Sequence, residues 1–257
     1  MRRPFIAGNW KMHGDRKTAK QYIDEFSVPK TAVAKRDIVI GVPFTLLQYW
    51  SAYAARVKPY LQWAAEDVHW EPKGAFTGDV SVSMLKDFKT PYCIVGHSER
   101  REYHKESNKQ VNAKMNALLE GGIIPIVCVG ETLKEREAGK KEAVVGSQVR
   151  GSIIASAKSL DLSKIVVAYE PVWAIGTGKT ATSAQAQEMC KFIRMELAAG
   201  LGKQVADGIR ILYGGSVKPD NIDELMAQAD IDGVLVGGAS LKAKDFSRIA
   251  NYKEKKK

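Results

Sequence analysis

An α/β fold, a single closed (β/α)8 barrel, is predicted by three features of this 257-residue chain. Eight short β-branched runs recur with amphipathic stretches between them. The runs are apolar throughout instead of alternating with polar residues, as parallel strands covered on both faces require. No Pro/Gly/Ser linker, internal repeat or low-complexity segment divides the chain, so residues 1–257 read as one domain with a short basic tail at 253–257. Eight parallel strands in one unbroken domain favour a closed barrel over an open doubly wound sheet, and the length suits one barrel.

In order, the strands are predicted at residues 5–7, 38–42, 61–65, 92–96, 124–129, 165–168, 209–213 and 234–236. Stretches such as 110–119 and 184–197 carry apolar residues at helical spacing and predict the covering helices. In a parallel α/β protein, ligands bind beyond the carboxyl ends of the strands, so the polar residues there are the informative ones. The first strand runs into Gly8-Asn9-Trp10-Lys11, the fourth into Gly96-His97-Ser98-Glu99-Arg100-Arg101, and the fifth into Gly130-Glu131. The sixth ends in Glu170, the seventh in Gly214-Gly215-Ser216, and the eighth in Gly237-Gly238. In a barrel all of these ring one mouth.

Composition narrows the class. Hydrophobic content of 45% and charged content of 26% are ordinary for a soluble globular protein. The formal charge of +10 is high, but part of it lies in the terminal Lys253-Glu254-Lys255-Lys256-Lys257. The remainder lacks the interleaved basic and aromatic residues that single-strand binding uses, so no nucleic-acid partner is expected. Cys93, Cys128 and Cys190 have no close spacing, which fits a reducing compartment better than a disulfide framework or a zinc knuckle. The N-terminal apolar stretch is too short for a signal segment, and no run approaches the eighteen apolar residues of a membrane span. A cytoplasmic protein without membrane association is expected.

Gly-Gly at a strand end lets the main chain approach a ligand and point N–H groups at it, and two such pairs on adjacent strand ends suggest a phosphate. Either pair alone would serve equally as a tight strand-to-helix turn. The stretch Gly176-Thr177-Gly178-Lys179-Thr180 resembles the end of a P-loop, but the first glycine of that motif falls on Trp173, and Pro171 removes an N–H the loop needs. A lid fits better: Pro171-Val172-Trp173 as a stiff first hinge, a small glycine tip, Lys179-Thr180-Ala181 as the second hinge, and Thr182 as the cap of the next helix. Glu170 stands at the base of that lid, where a dry carboxylate can act as a base toward carbon. His97, placed at a helix N-terminus, is expected to be neutral. Lys11 offers positive charge and Asn9 a neutral donor. Taken singly, His97 could be a structural hydrogen-bonder, Lys11 a solvated lysine, and Glu170 a salt-bridge partner of Arg100 or Arg101.

These segments match a known family. Gly8-Asn9-Trp10-Lys11-Met12, Gly74-Ala75-Phe76-Thr77-Gly78, Gly96-His97-Ser98-Glu99-Arg100-Arg101 and Cys128-Val129-Gly130-Glu131 are four of seven motifs in order. The others run from Ala168 to Gly178, from Tyr213 to Val217 and from Leu235 to Leu241. Together they resemble the triosephosphate isomerases over residues 4–250. The resemblance implies a glycolytic and gluconeogenic isomerase that interconverts dihydroxyacetone phosphate and D-glyceraldehyde 3-phosphate through an enediolate, as a homodimer without metal or cofactor. It implies Lys11, His97 and Glu170 as catalytic, and Asn9, Lys11, Gly176, Ser216, Gly237 and Gly238 as substrate-binding. Glu99, Ser98, Cys128 and Tyr213 would support them, with Glu99 paired to Lys11. Thr77, in the loop from Gly74 to Gly78, would reach a second subunit.

One segment departs from the family pattern. Ala65-Glu66-Asp67 stands where the family usually has Ala-Gln-Asn, which brings two potential charges beside the expected subunit interface. Glu66 is expected to be buried there with a raised pKa. Two further readings are weighed. A metal-dependent sugar-phosphate enzyme on the same fold would need convergent ligands, and His13, His69 and His104 do not fall at matching strand ends. A binding protein that merely keeps the barrel would have no need of Lys11, His97 and Glu170, and all three are present.

Overall fold

In the computed structural model, which describes residues 2–156, 160–175 and 180–254, eight strands pair in parallel in chain order, and the last closes on the first. They are β1 (Phe5–Asn9), β2 (Asp37–Val42), β3 (Leu61–Ala65), β4 (Tyr92–Val95), β5 (Ile124–Val129), β6 (Val166–Tyr169), β7 (Arg210–Tyr213) and β8 (Gly233–Val236). Each predicted run falls on one of them. β1 extends to Asn9, which pairs with Gly41 of β2. β4 stops at Val95 because Gly96 turns away with φ +70°. Closure is in register Phe5↔Gly233 through Gly8↔Val236.

The period of two along each strand divides the core into two layers. One buried cluster takes Phe5, Ala7, Val39, Ala64, Ile94, Ile126, Cys128, Val166, Ala168, Leu212 and Leu235, which alternate along the strands and fill the barrel. The intervening residues, among them Ile6, Ile40, Val127, Val167 and Val234, belong to the larger cluster formed with the helices. Full burial of one such aliphatic side chain contributes about 1.5–3 kcal/mol, so both faces of the sheet favour the closed form. Advancing the inner row by two residues gives Asn9 at the end of β1 and Glu66, Glu170, Gly214 and Gly237 just beyond β3, β6, β7 and β8. The same parity that fills the barrel thus sets these five residues over its carboxyl end.

The helices start where their caps dictate. Thr182 accepts the Gln185 N–H while the Gln185 side chain returns to the Thr182 N–H, and Ser183–Leu201 follows. Ser107 and Gln110 form the same reciprocal pair ahead of Asn108–Glu120. These two helices contain the predicted 184–197 and 110–119. In the longer one Ala186, Met189, Cys190, Ile193 and Leu197 are buried at the three-and-four spacing of a helix face. Arg194 is also buried there, bound to Asp230 and Asp232 at 2.7 Å each, and ties the helix to the amino end of the barrel. Among the described residues, no helix is long and apolar enough to cross a membrane.

Candidate active site

The segment after β1 is fixed by its tryptophan. Trp10 is buried, its N–H donates to the Gly41 carbonyl at 3.0 Å, and its indole donates to the Ser240 carbonyl at 3.1 Å. The chain then turns through Lys11, whose φ of +58° lies in the left-handed region. The Lys11 N–H is shared between Asn9 Oδ1 at 3.1 Å and Glu66 Oε1 at 2.7 Å. Lys11 Nζ reaches Glu99 Oε1 at 2.6 Å. At the adjacent end of β8, a Cβ on Gly237 would lie 3.9 Å from Lys11 Cε.

His97 caps the helix Ser98–Tyr103, with Nδ1 accepting the Glu99 N–H at 3.2 Å. A nitrogen that accepts this bond carries no proton, so the other, Nε2, is the donor to Glu170 Oε1 at 2.9 Å. The second Glu170 oxygen accepts the Ser98 N–H at 3.0 Å. Both side chains are nearly inaccessible, Glu170 being 2% and His97 5% exposed. Burial opposes the Glu170 carboxylate, but His97 and the Ser98 N–H outweigh it and hold its pKa below the ordinary value. Burial likewise opposes the imidazolium, but the Glu170 and Glu99 carboxylates outweigh it and hold the His97 pKa above the ordinary value. The helix amide favours the expected neutral ring, and the neighbouring carboxylate works against it. Glu170 pairs with neither adjacent arginine: Arg100 bonds Asp67 at 2.8 Å, and Arg101 bonds the Gly96 carbonyl at 2.8 Å.

Past Glu170 the chain makes a short 3-10 turn, Val172–Ala174, anchored on Glu131. That glutamate is fully buried and accepts from the Tyr169 hydroxyl, the Trp173 indole and Arg136 at 3.0–3.1 Å. The Arg136 guanidinium also lies 4.9 Å from the Trp173 ring. The segment predicted as the first hinge is thus held at its tryptophan by a buried carboxylate. The tip of the predicted lid, with Gly176 and residues 177–179, lies outside the described residues.

A cavity of ≈ 360 Å³ opens over the barrel and is lined by Asn9, Lys11, His97, Glu170, Ser216, Gly237 and Gly238. Gly214 and Gly215 line it too, but both are also required by packing. A Cβ on Gly214 would lie 2.9 Å from Glu170 Cγ, and one on Gly215 would lie 2.2 Å from the Tyr213 hydroxyl. Gly238 has no atom within 4 Å of that position, so its missing side chain leaves space in the cavity. Ser98 contributes its amide to Glu170, and Glu99 its carboxylate to Lys11. Cys128 lies inside the barrel, and burial raises its thiol pKa well above the ordinary value. Tyr213 is buried beneath Gly215. Thr77 is exposed, within an exposed stretch from Glu71 to Asp79. Among the described residues, no three His, Cys, Asp or Glu side chains gather to hold a metal ion.

Sequence reasoning missed Lys218 and Lys242, which line the cavity beyond the two glycine turns. The available signal was a lysine three or four residues after each Gly-Gly pair. It also missed the bond from Lys11 to Glu66, which joins residues 55 apart.

With this geometry in view, similarity to known proteins is informative. The family described as triosephosphate isomerase matches residues 4–253. A relative from Moorella thermoacetica named triosephosphate isomerase is 51% identical over 255 residues, covering 98% of this chain and 99% of its own. Relatives of the same name from Herpetosiphon aurantiacus and a Thermoanaerobacter species are 50% and 49% identical, each covering 98% of this chain and all of its own. This chain belongs to the triosephosphate isomerase family.

Proposed function

We propose that this protein interconverts dihydroxyacetone phosphate and D-glyceraldehyde 3-phosphate by proton transfer. Family membership supports the reaction, and the convergence of Glu170, His97 and Lys11 on one cavity supports the residues. Glu170, ionised at neutral pH, leaves His97 and takes a proton from the carbon beside the substrate carbonyl. That departure removes the larger of the two carboxylate influences that raise the His97 pKa. Burial and the Glu99 amide then drive the ring to its neutral form, with Nε2–H aimed at the substrate oxygens. An enediolate needs opposing charge and donors, one of which is typically worth about 3–4 kcal/mol, and Lys11 and Asn9 supply them. The N–H groups at Ser216, Gly237 and Gly238 suit a phosphate, with Gly176 as a further donor once the lid closes.

The reading extends to a cytoplasmic homodimer. The exposed stretch from Glu71 to Asp79 carries Phe76, and Phe44 and Met84 line an apolar groove with Val80 and Phe88. A second subunit covering this surface would remove that apolar area from water. Three buried free cysteines suit a reducing compartment.

The test is conversion of glyceraldehyde 3-phosphate to dihydroxyacetone phosphate with chelator present, beside Glu170→Gln. Turnover in the parent and a loss of about a hundredfold or more in the variant are expected. A folded parent without turnover would overturn the reading. Sedimentation at micromolar concentration should give a dimer, and a monomer would remove the proposed role of Thr77.

A further inference from the structure

We propose that Glu66 is a positioning residue for Lys11, its carboxyl group holding the left-handed main chain that aims the lysine into the cavity. This rests on the isomerase reading of the site and deepens it.

Lys11 is the residue at which the chain turns from β1 across the mouth, and a side-chain-bearing residue in the left-handed region persists only where its surroundings impose it. Its carbonyl accepts the His13 N–H at 2.9 Å, which closes the turn on one side. On the other side, its N–H is taken by Glu66 at 2.7 Å, the shorter of two bonds, with Asn9 at 3.1 Å. Glu66 directly follows β3, two strands away, and continues the inward row of Ala64. The bond therefore fastens the lysine turn to a rigid wall of the barrel. It also joins Asn9 and Glu66 through a single amide, so losing one acceptor loads the other.

The neighbouring residue shows why Glu66 is unusual. Asp67 has two cationic partners, Lys114 at 2.7 Å and Arg100 at 2.8 Å. Glu66 accepts the Lys11 amide, and the groups that act on it are Lys11, His97 and Glu99. Burial outweighs the Lys11 amide and the two basic groups, and pushes its pKa up to about 8. Near neutral pH the carboxyl is protonated and still accepts the amide. Above pH 8 it becomes a second carboxylate beside the Lys11–Glu99 pair, and opposes the negative charge that substrate and enediolate bring into the cavity.

The experiment measures kcat and KM from pH 6 to 9.5 for the parent, Glu66→Gln and Glu66→Ala, with folding checked by far-ultraviolet circular dichroism. The parent kcat/KM should decline above about pH 8. Glu66→Gln keeps an acceptor but cannot ionise, so its decline should move up by at least about one pH unit. Glu66→Ala leaves the Lys11 N–H with Asn9 as its one acceptor, and kcat should drop by about tenfold, with Glu66→Gln restoring most of it. A parental alkaline profile in Glu66→Gln, or a parental kcat in folded Glu66→Ala, overturns the proposal. If Glu66→Ala does not fold, the Glu66→Gln profile decides. A folded parent without turnover removes the isomerase reading and this inference with it, whereas an active parent with indifferent Glu66 variants removes this inference alone.

Discussion

Gly215 and Gly238 both follow strands at the mouth, yet they are glycines for different physical reasons. A Cβ on Gly215 would collide with the Tyr213 ring, a stiff buried group that cannot step aside. Gly215→Ala is therefore expected to destabilise by about 1–3 kcal/mol through overpacking, read as a lower thermal midpoint. Gly238 faces open cavity. Gly238→Ala should leave stability within about 0.5 kcal/mol of the parent. If its main chain holds the phosphate, the added methyl keeps the phosphate from that N–H, and KM for triose phosphate should rise by about tenfold, as for one weakened charge-assisted hydrogen bond. An unchanged KM in that variant would place the phosphate elsewhere. The two Gly-Gly pairs look alike as letters, because sequence does not say what lies opposite a missing side chain.

At the scale of elements, the segment predicted to be a lid is framed by two dissimilar ends. Its first hinge is held by Glu131, which binds the Trp173 indole and the Tyr169 hydroxyl. Its far end meets the Thr182 cap of Ser183–Leu201. The cap was legible because Ser or Thr followed by Gln three residues on is a local pattern that needs no tertiary partner. The grip of Glu131 was not, since it joins the end of β5 to a turn 42 residues later. Thr182→Ala should cost about 1 kcal/mol and lower the thermal midpoint by about 2–4 °C for a chain of this size. An unchanged midpoint would mean that tertiary packing alone starts this helix.

For the whole molecule, the half-buried carboxyl at Glu66 links stability to pH. Its folded pKa of about 8 lies above the ordinary 4.5, so the folded protein holds this proton more tightly than the unfolded chain does. The contribution is fully present below about pH 4.5 and is lost as pH rises through about 8. Relative to Glu66→Gln, the parent should lose stability progressively between those limits. Urea midpoints at pH 5 and pH 9 provide the check, and an equal difference between the two proteins at both would sink the linkage. The shift arises within a single chain, from burial among its own residues against the opposing Lys11 amide, so it does not need a second subunit. Asp67 behaves differently although it is adjacent: burial raises its pKa, and Lys114 and Arg100 work against that rise.

What the sequence determined by itself is the order and kind of the elements and the mouth at which the chemistry gathers. Continuous apolar runs require a sheet covered on both faces, and parallel strands require their connections to return on the outside, so Asn9, His97, Glu170 and the glycine pairs necessarily meet at one end. The period of two then places Asn9, Glu66 and Glu170 above the inner row without reference to any contact. Only the tertiary structure decided which of these groups touch. The His97–Glu170 pair, the amide shared by Asn9 and Glu66, and the clash awaiting a Cβ at Gly215 each depend on distances of 2–3 Å between groups far apart in the chain. Pattern fixes the face on which a residue lies, but hydrogen bonding and pKa depend on separations smaller than one side chain, and those are set only when the barrel closes.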